Sequence, residues 1–326
     1  MRKFARMLLV GALTLSLAPC GGNDSTEQQD TAEKTEQTQA AGEEATEATP
    51  ITITDALGNT HTFEEPPASI AALSPGEMDI LLALGANVTG RPTLSYEVSA
   101  DVEAIQDIGN PHEPSFEQIA VVNPEVLVVP PSFQQFAANI EGQGTKIVYT
   151  NANSIDEIKQ TIDMFGTLFK AEDKAAELNE TITAKIEEAQ SKSSDVNALL
   201  IYGAPGTYLV ALDTALAGDI LAKSGGNNIA SDFPATEKYP TYASLSVEKI
   251  VQANPDVIMI LTHANPEAVI DGFNQQMNQD AGWKNLDAVK NDRIYILPAD
   301  LFGNNPGTRI TESIDYMIET LESVKK

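Results

Sequence analysis

The fold is decided by Ser115-Phe-Glu-Gln-Ile-Ala-Val-Val-Asn-Pro-Glu-Val-Leu-Val-Val129, a stretch that recurs 131 residues later. The second copy is Ser246-Val-Glu-Lys-Ile-Val-Gln-Ala-Asn-Pro-Asp-Val-Ile-Met-Ile260. Each copy contains a capping serine, a glutamate in the first helical turn, an Asn-Pro stop and an apolar strand. Self-similarity at this spacing indicates a duplicated unit and predicts two similar lobes. A cleft between two lobes is a common place for a ligand.

Strands alternate with helices along the rest of the chain, which favours parallel sheets. Ile70–Leu73 is predicted to be the first core strand, and Ser74-Pro75-Gly76-Glu77 to begin the following helix. Residues 154 to about 191 have helical apolar spacing and lie between the two copies. We therefore predict an α/β protein with two Rossmann-like lobes and parallel sheets, joined by a single long rigid helix.

The N-terminus has a basic start, a short apolar run and Leu17-Ala-Pro-Cys20, a pattern typical of a secretory lipoprotein signal. Pro19 departs from the small residue usual before such a cysteine, and the alternative is a secreted protein with an unpaired thiol. The predicted organisation is a signal peptide over 1–19, then lipidated Cys20 and a disordered acidic tether to residue 50. An N-terminal lobe over 51–153, an interlobe helix over 154–192 and a C-terminal lobe over 193–326 follow.

The formal net charge of −27 argues against nucleic acid or anionic lipid as a partner. The sequence contains neither a glycine-rich phosphate loop nor a Ser/His/Asp order with supporting context. We therefore expect a binding protein and not an enzyme. A purely adhesive surface lipoprotein is a further alternative, which the long tether would suit.

Three residues are candidates for binding a metal-containing ligand. His263 follows the apolar strand of the second copy, and ligands of open α/β sheets bind at the carboxyl ends of strands. Met78 lies in the first turn after the strand Ile70–Leu73, and a thioether suits porphyrin iron. His112, in the loop before the first copy, is the reserve ligand. From position alone, His263 could equally be a locally bonded loop residue, and Met78 could pack on Leu73 as a hydrophobic staple.

Charged residues mark two further candidate functions. Glu117 and Glu248 stand two residues after the capping serine of each copy, where they could simply stabilise the helix dipole. Basic residues are scarce, so Arg309 and Arg91 are candidates for an anionic group of a ligand. Each arginine could instead form a surface ion pair.

Several motifs together resemble one superfamily over about residues 51–326. They are Asp55-Ala-Leu-Gly-Asn59, Leu73-Ser-Pro-Gly-Glu77, Val88-Thr-Gly-Arg-Pro92, both Glu-x-Ile…Asn-Pro-Glu/Asp-Val segments, and Trp283-Lys-Asn-Leu-Asp-Ala-Val-Lys-Asn-Asp-Arg-Ile-Tyr295. On these the chain resembles the solute-binding lipoproteins of iron-chelate, heme and cobalamin ABC importers. The second lobe resembles most the heme-binding lipoproteins of Gram-positive surface heme-uptake systems. The segments that carry this are Gly203-Ala-Pro-Gly-Thr-Tyr-Leu-Val-Ala211, Gly218-Asp-Ile-Leu221, Gly225-Gly-Asn-Asn228 and Leu261-Thr-His-Ala-Asn-Pro-Glu-Ala-Val269.

The resemblance implies roles for these residues. His263 matches a histidine that binds heme iron, and Met78 approximately matches a methionine on the other face, with His112 in reserve. A His/Met pair favours reduced iron and a raised potential. Glu117 and Glu248 match glutamates that dock onto arginines of the permease.

The expected protein is therefore a lipid-anchored receptor on the extracellular face of the cell membrane. It captures heme as its transported ligand, with Arg309 or Arg91 meeting the propionates, and delivers it to an ABC permease. Upstream heme-donor surface proteins are expected partners, and the receptor is expected to be a monomer. A ferric siderophore or cobalamin receptor of the same importer class is the alternative.

Overall fold

The computed structural model describes residues 49–140, 142–192, 194–204, 206–262 and 266–325. The signal peptide, Cys20 and the tether up to residue 48 lie outside these residues, and so does His263. None of the described helices is long and apolar enough to cross a membrane. The domain boundaries and the lipid anchor stay predictions.

The first lobe is built on a parallel sheet. Its elements are β1 (Ile51–Thr54), β2 (Thr60–Phe63), β3 (Ile70–Ala72), α1 (Pro75–Leu84), β4 (Val88–Arg91), α2 (Ala100–Glu103), β5 (Gln106–Asp107), α3 (Phe116–Val122), β6 (Val126–Val129), β7 (Lys146–Tyr149) and α4 (Ile155–Phe169). The sheet has the order β5-β4-β3-β6-β7, and all its neighbouring strands are parallel. β1 and β2 form an antiparallel hairpin, whose turn is closed by Asp55 accepting the backbone N–H groups of Leu57 and Asn59.

The second lobe follows α5 (Glu172–Ser191) and has a mixed sheet. Its elements are β8 (Asn197–Ala204), β9 (Thr207–Ala211), α6 (Leu216–Lys223), β10 (Asn227–Asn228), β11 (Tyr242–Ser244), α7 (Val247–Ala253), β12 (Val257–Leu261), α8 (Pro266–Gln279), α9 (Asp287–Lys290), β13 (Ile294–Ile296) and α10 (Ile310–Val324). The order is β11-β9-β8-β12-β13. The predicted parallel arrangement is found for β8, β12 and β13. It is wrong for the other edge of the sheet, where β9 is antiparallel to β8 and β11 is antiparallel to β9. Only two residues separate β8 from β9, too few for the crossover that parallel strands require.

The duplicated unit has the same structure in both lobes. α3 follows Ser115, whose hydroxyl accepts the N–H of Gln118, and it ends at Asn123 in the left-handed conformation with φ 45°. α7 follows Ser246 and ends at Asn254, also with φ 45°. Each helix leads into a fully buried strand, β6 or β12. The two-lobed α/β class predicted from the repeat is confirmed.

The helical region between the lobes differs from the expected single helix, because it consists of α4 and α5. Lys170 interrupts it in the left-handed conformation with φ 53°, and its N–H donates to the carbonyls of Gly166 and Thr167. The two helices then run antiparallel side by side, with the Asn179 amide donating to Asp163 at 2.7 Å. α5, with 20 residues, is about 30 Å long and leads directly into the second sheet.

Candidate ligand-binding cleft

A cavity of about 450 Å³ lies between the two lobes. Its walls are formed by Leu73, Ser74, Pro75, Pro92, Thr93, Leu94, Ser95, Asn110, Pro111, His112, Tyr202 and Asn304. Leu73 and Pro92 directly follow β3 and β4, and Tyr202 pairs with Leu261, the last residue of β12. The cavity therefore lies at the carboxyl ends of parallel strands, where ligands of such folds bind.

His112 is presented to this cavity by a tight turn between Gly109 and Pro114. The side-chain oxygen of Asn110 accepts the N–H groups of His112 and Glu113, each at 3.0 Å. Gly109 has φ +89°, and a Cβ there would lie 2.4 Å from the carbonyl oxygen of Glu113. The turn thus fixes the backbone of His112, whose exposed imidazole forms no hydrogen bond within the described part of the chain.

Met78 does not line the cleft cavity. Its side chain is only 5% exposed and belongs to the hydrophobic core. It borders a second, smaller cavity of about 180 Å³, together with Tyr96, Asp300 and Arg309. The structure brings His112, and not Met78, to the cleft cavity.

The first turn of α1 fixes Met78 in this position by contacts with the segment that follows β13. Glu77 is 3% exposed, and its Oε1 accepts the hydroxyl of Thr150 at 3.1 Å and the amide of Asn305 at 3.2 Å. Asp79 Oδ2 accepts the N–H and the hydroxyl of Thr308 at 2.7 and 2.6 Å. Burial raises the pKa of both carboxyls more than these hydrogen bonds lower it. A buried and a half-buried acid therefore hold the lobes together beside the cleft.

Both arginines already have carboxylate partners. Arg309 contacts Asp300 at 2.9 Å and Glu312 at 3.0 Å, and the hydrogen bond to Glu312 is the main cause that raises its pKa. Arg91 contacts Asp107 at 3.2 Å. Neither lines the cleft cavity, so a ligand anion could reach them only in competition with these acids.

Glu117 and Glu248 occupy equivalent places in the two lobes. Both are exposed and lie in the first turn of α3 and α7. Each lobe therefore has an exposed carboxylate in the first turn of its repeated helix, and the docking role of the two glutamates stays a prediction.

A group of tyrosines on the second lobe was not predicted from the sequence. Tyr202, Tyr239 and Tyr242 line a cavity of about 290 Å³, and Tyr202 also lines the cleft cavity. The rings of Tyr202 and Tyr242 are 5.5 Å apart. Burial raises the pKa of Tyr242 to about 12, so its phenol stays neutral. Tyr202 could have been found by the strand-end rule that selected His263, because it lies near the carboxyl end of β8.

The described residues contain no group of three or more His, Cys, Asp or Glu side chains arranged to hold a metal ion. A bare-metal site is therefore not supported among them. The arrangement suits a sizeable organic ligand held between two lobes, with an imidazole available to an iron atom that the ligand carries.

Two α/β lobes connected by a helical segment, with a ligand cavity at the strand ends between them, are typical of the substrate-binding proteins of importers. The chain belongs to the periplasmic binding protein family, whose sequence profile matches residues 70–301. It is 29% identical over 236 residues to the high-affinity heme uptake system protein IsdE of Staphylococcus aureus, covering 70% of this chain and 76% of the relative.

Solved structures agree on the architecture. An ABC transporter substrate-binding protein from Listeria monocytogenes superposes with a TM-score of 0.69 at 26% identity, over 79% of this chain and 99% of that one. S. aureus IsdE complexed with heme superposes with a TM-score of 0.69 at 24% identity, over 78% and 98%. Vitamin B12-binding and siderophore-binding proteins share the fold at 19% and 21% identity. Proteins that share this architecture thus bind heme, vitamin B12 or a siderophore.

Proposed function

We propose that the protein captures heme outside the cell and delivers it to an ABC permease. The observation that carries this proposal is the exposed imidazole of His112 on a cavity lined from both lobes. Imidazole is a common axial ligand of heme iron. The similarity to a heme uptake protein supports the same ligand class.

The proposed iron ligands are His112 from the first lobe and His263 from the second. β12 ends at Leu261, beside Tyr202 on the cavity, and His263 follows two residues later. Met78 is the less suitable partner, because its thioether is packed in the core and does not line this cavity. Methionine ligation raises the potential of heme iron, so two imidazoles should leave the ferric state favoured.

The propionates need a cation that Arg309 and Arg91 do not readily supply. Each guanidinium would have to exchange a carboxylate partner for the ligand. Such an exchange replaces one charge-assisted hydrogen bond by another and gains little free energy. The heme carboxylates are better met by a cation without an acidic partner.

Docking on the permease is assigned to Glu117 and Glu248. Both carboxylates are exposed on equivalent helices, so a partner with two basic sites could engage both lobes at once. Opposite charges of this kind steer association and fix its orientation. Lipidation of Cys20 would hold the receptor at the extracellular face of the membrane, close to that permease, and able to receive heme from donor proteins at the surface.

Titration of the purified protein with hemin tests this proposal. We expect a sharp Soret band that saturates at one equivalent. A ferric siderophore and cyanocobalamin are titrated in parallel, with fluorescence of the sole tryptophan, Trp283, as the signal. A broad, non-saturating Soret band would contradict the heme proposal, and saturable quenching by one of the other ligands would favour the alternative.

A further inference from the structure

The tyrosine pocket adjoins the cleft cavity through a shared side chain. We use this name for the cavity of about 290 Å³ lined by Tyr202, Ala204, Thr207, Leu209, Tyr239 and Tyr242. Because Tyr202 borders both spaces, the wall of the second lobe continues from the cleft into the pocket. A ligand larger than the cleft cavity can extend along this wall.

The pocket is built from the sheet and from one anchored turn. Tyr202 and Tyr242 come from β8 and β11, which flank β9, and their rings are inclined by 52°. Tyr239 is 44% exposed. Its backbone is fixed by Thr236, whose hydroxyl donates to the Tyr239 carbonyl at 2.9 Å and accepts its N–H at 3.0 Å. The aromatic surface is therefore preformed and partly open to solvent.

Beside this pocket lies a lysine that has no acidic partner among the described residues. The Nζ of Lys238 lies 5.0 Å from the centre of the Tyr239 ring. Within the described residues Lys238 forms no ion pair, in contrast to Arg91 and Arg309. In a chain of net charge −27, such a cation beside an open aromatic surface is a suitable site for a carboxylate.

We propose that the tyrosine pocket is the second half of the ligand site, receiving the edge of a planar aromatic ligand, and that Lys238 binds a carboxylate on that edge. This inference rests on the proposed function and deepens it. The aromatic rings supply apolar contact to the flat ligand. Burial raises the pKa of Tyr202 and Tyr242, so these two phenols are neutral and do not repel the carboxylates of the ligand. Lys238 takes the part expected of Arg309 and Arg91.

The test uses metal-free protoporphyrin IX, its dimethyl ester and hemin, titrated against the purified protein and followed by porphyrin fluorescence or absorption. Metal-free porphyrin takes no axial ligand, so its affinity reports the pocket and not the iron ligands. Lys238→Gln should weaken binding of the diacid about two- to fivefold and leave the ester unaffected. Tyr239→Ser should weaken both about two- to tenfold.

Lys249→Gln is the matched control. Its ammonium also stands over an aromatic ring, that of Phe233 at 4.8 Å, but Lys249 lies on α7 outside the pocket. We expect this variant to bind all three porphyrins like the wild type. Because Lys238 and Tyr239 are exposed, their substitution should leave the unfolding curve unchanged.

The outcomes separate this inference from the proposed function. If hemin saturates at one equivalent while Lys238→Gln and Tyr239→Ser bind every porphyrin normally, the pocket assignment is overturned and the heme function stands. An equal loss for diacid and ester in Lys238→Gln would overturn the carboxylate role. If the wild type binds neither hemin nor protoporphyrin, both proposals are overturned.

Discussion

Replacement of Gly76 by alanine should separate the two lobes where they touch beside the cleft. A Cβ on Gly76 would lie 2.3 Å from Cγ and 2.5 Å from the carbonyl oxygen of Asn305. Because one of these atoms belongs to the backbone, a change of side-chain rotamer cannot relieve the overlap. The segment after β13 must move, and with it the amide that Asn305 donates to Glu77 at 3.2 Å.

Two contributions set the size of the effect. An extra methyl group in a packed site costs about 1–3 kcal/mol. Removal of the Asn305 donor from the buried Glu77 oxygen costs about 1–3 kcal/mol. Since both act on the same side chain they do not add fully, and we expect the free energy of unfolding to fall by roughly 2–4 kcal/mol.

Urea denaturation followed by circular dichroism measures this loss. Gly272→Ala is the matched control, because it is also a helical glycine and its Cβ would meet only the far end of Tyr208, with the hydroxyl at 2.6 Å. Gly272→Ala should cost less, because only the Tyr208 side chain has to move. The hydrogen bond that its hydroxyl donates to the Val269 carbonyl at 2.9 Å is worth about 0.5–1.5 kcal/mol, and the higher helix propensity of alanine offsets part of its loss. The reasoning is refuted if the two variants change the free energy of unfolding equally.

Three further predictions concern α1 and the exposed glutamates. Met78→Leu should leave the hemin spectrum unchanged and cost less than about 1.5 kcal/mol of stability, because it conserves core volume; a changed Soret band would return Met78 to the ligand site. Burial raises the folded-state pKa of Glu77 above its usual value of 4.5. The contribution of Glu77 to the free energy of unfolding therefore falls as the pH rises from 4.5 through that folded-state pKa. Glu77→Gln should remove this pH dependence of the free energy of unfolding, which is at most about 1.4 kcal/mol per pH unit. Urea denaturation at several pH values between 4 and 8 measures it, and the same pH dependence in wild type and variant would contradict the prediction. Glu117→Ala with Glu248→Ala should keep hemin affinity and impair cellular heme uptake, whereas a normal uptake rate would exclude the docking role.

The elements that repeat in the sequence were predictable because each is fixed by local chemistry. The serine before α3, the Asn-Pro stop and the apolar run of β6 all indicate the same helix, turn and strand.

The break at Lys170 was not predictable in the same way. No proline marks it, and the helical apolar spacing continues across it, at Leu168, Ala171, Ala175, Leu178 and Ile182. The left-handed residue that ends α4 is a lysine, where glycine or asparagine would have signalled it.

The residues of the candidate site were harder to predict than the repeated elements, because tertiary contacts decide where they lie. Met78 and His112 both stand near strand ends in the sequence, but the contacts of Glu77 and Asp79 fix α1 so that Met78 lies in the core. Periodicity cannot give the rotation of a helix when its neighbour comes from more than 200 residues away. Tyr242 reaches Tyr202 only through the strand order of the second sheet, which short-range patterns do not encode.

The most direct test of heme ligation by both lobes is the spin state of the ferric heme complex, measured by visible absorption and electron paramagnetic resonance in wild type and His112→Ala. We expect a low-spin, six-coordinate complex for the wild type, since an imidazole from each lobe would bind the iron. His112→Ala should give a high-spin, five-coordinate complex with a shifted Soret band. A low-spin spectrum that His112→Ala leaves unchanged would contradict the proposal that the first lobe binds iron through His112.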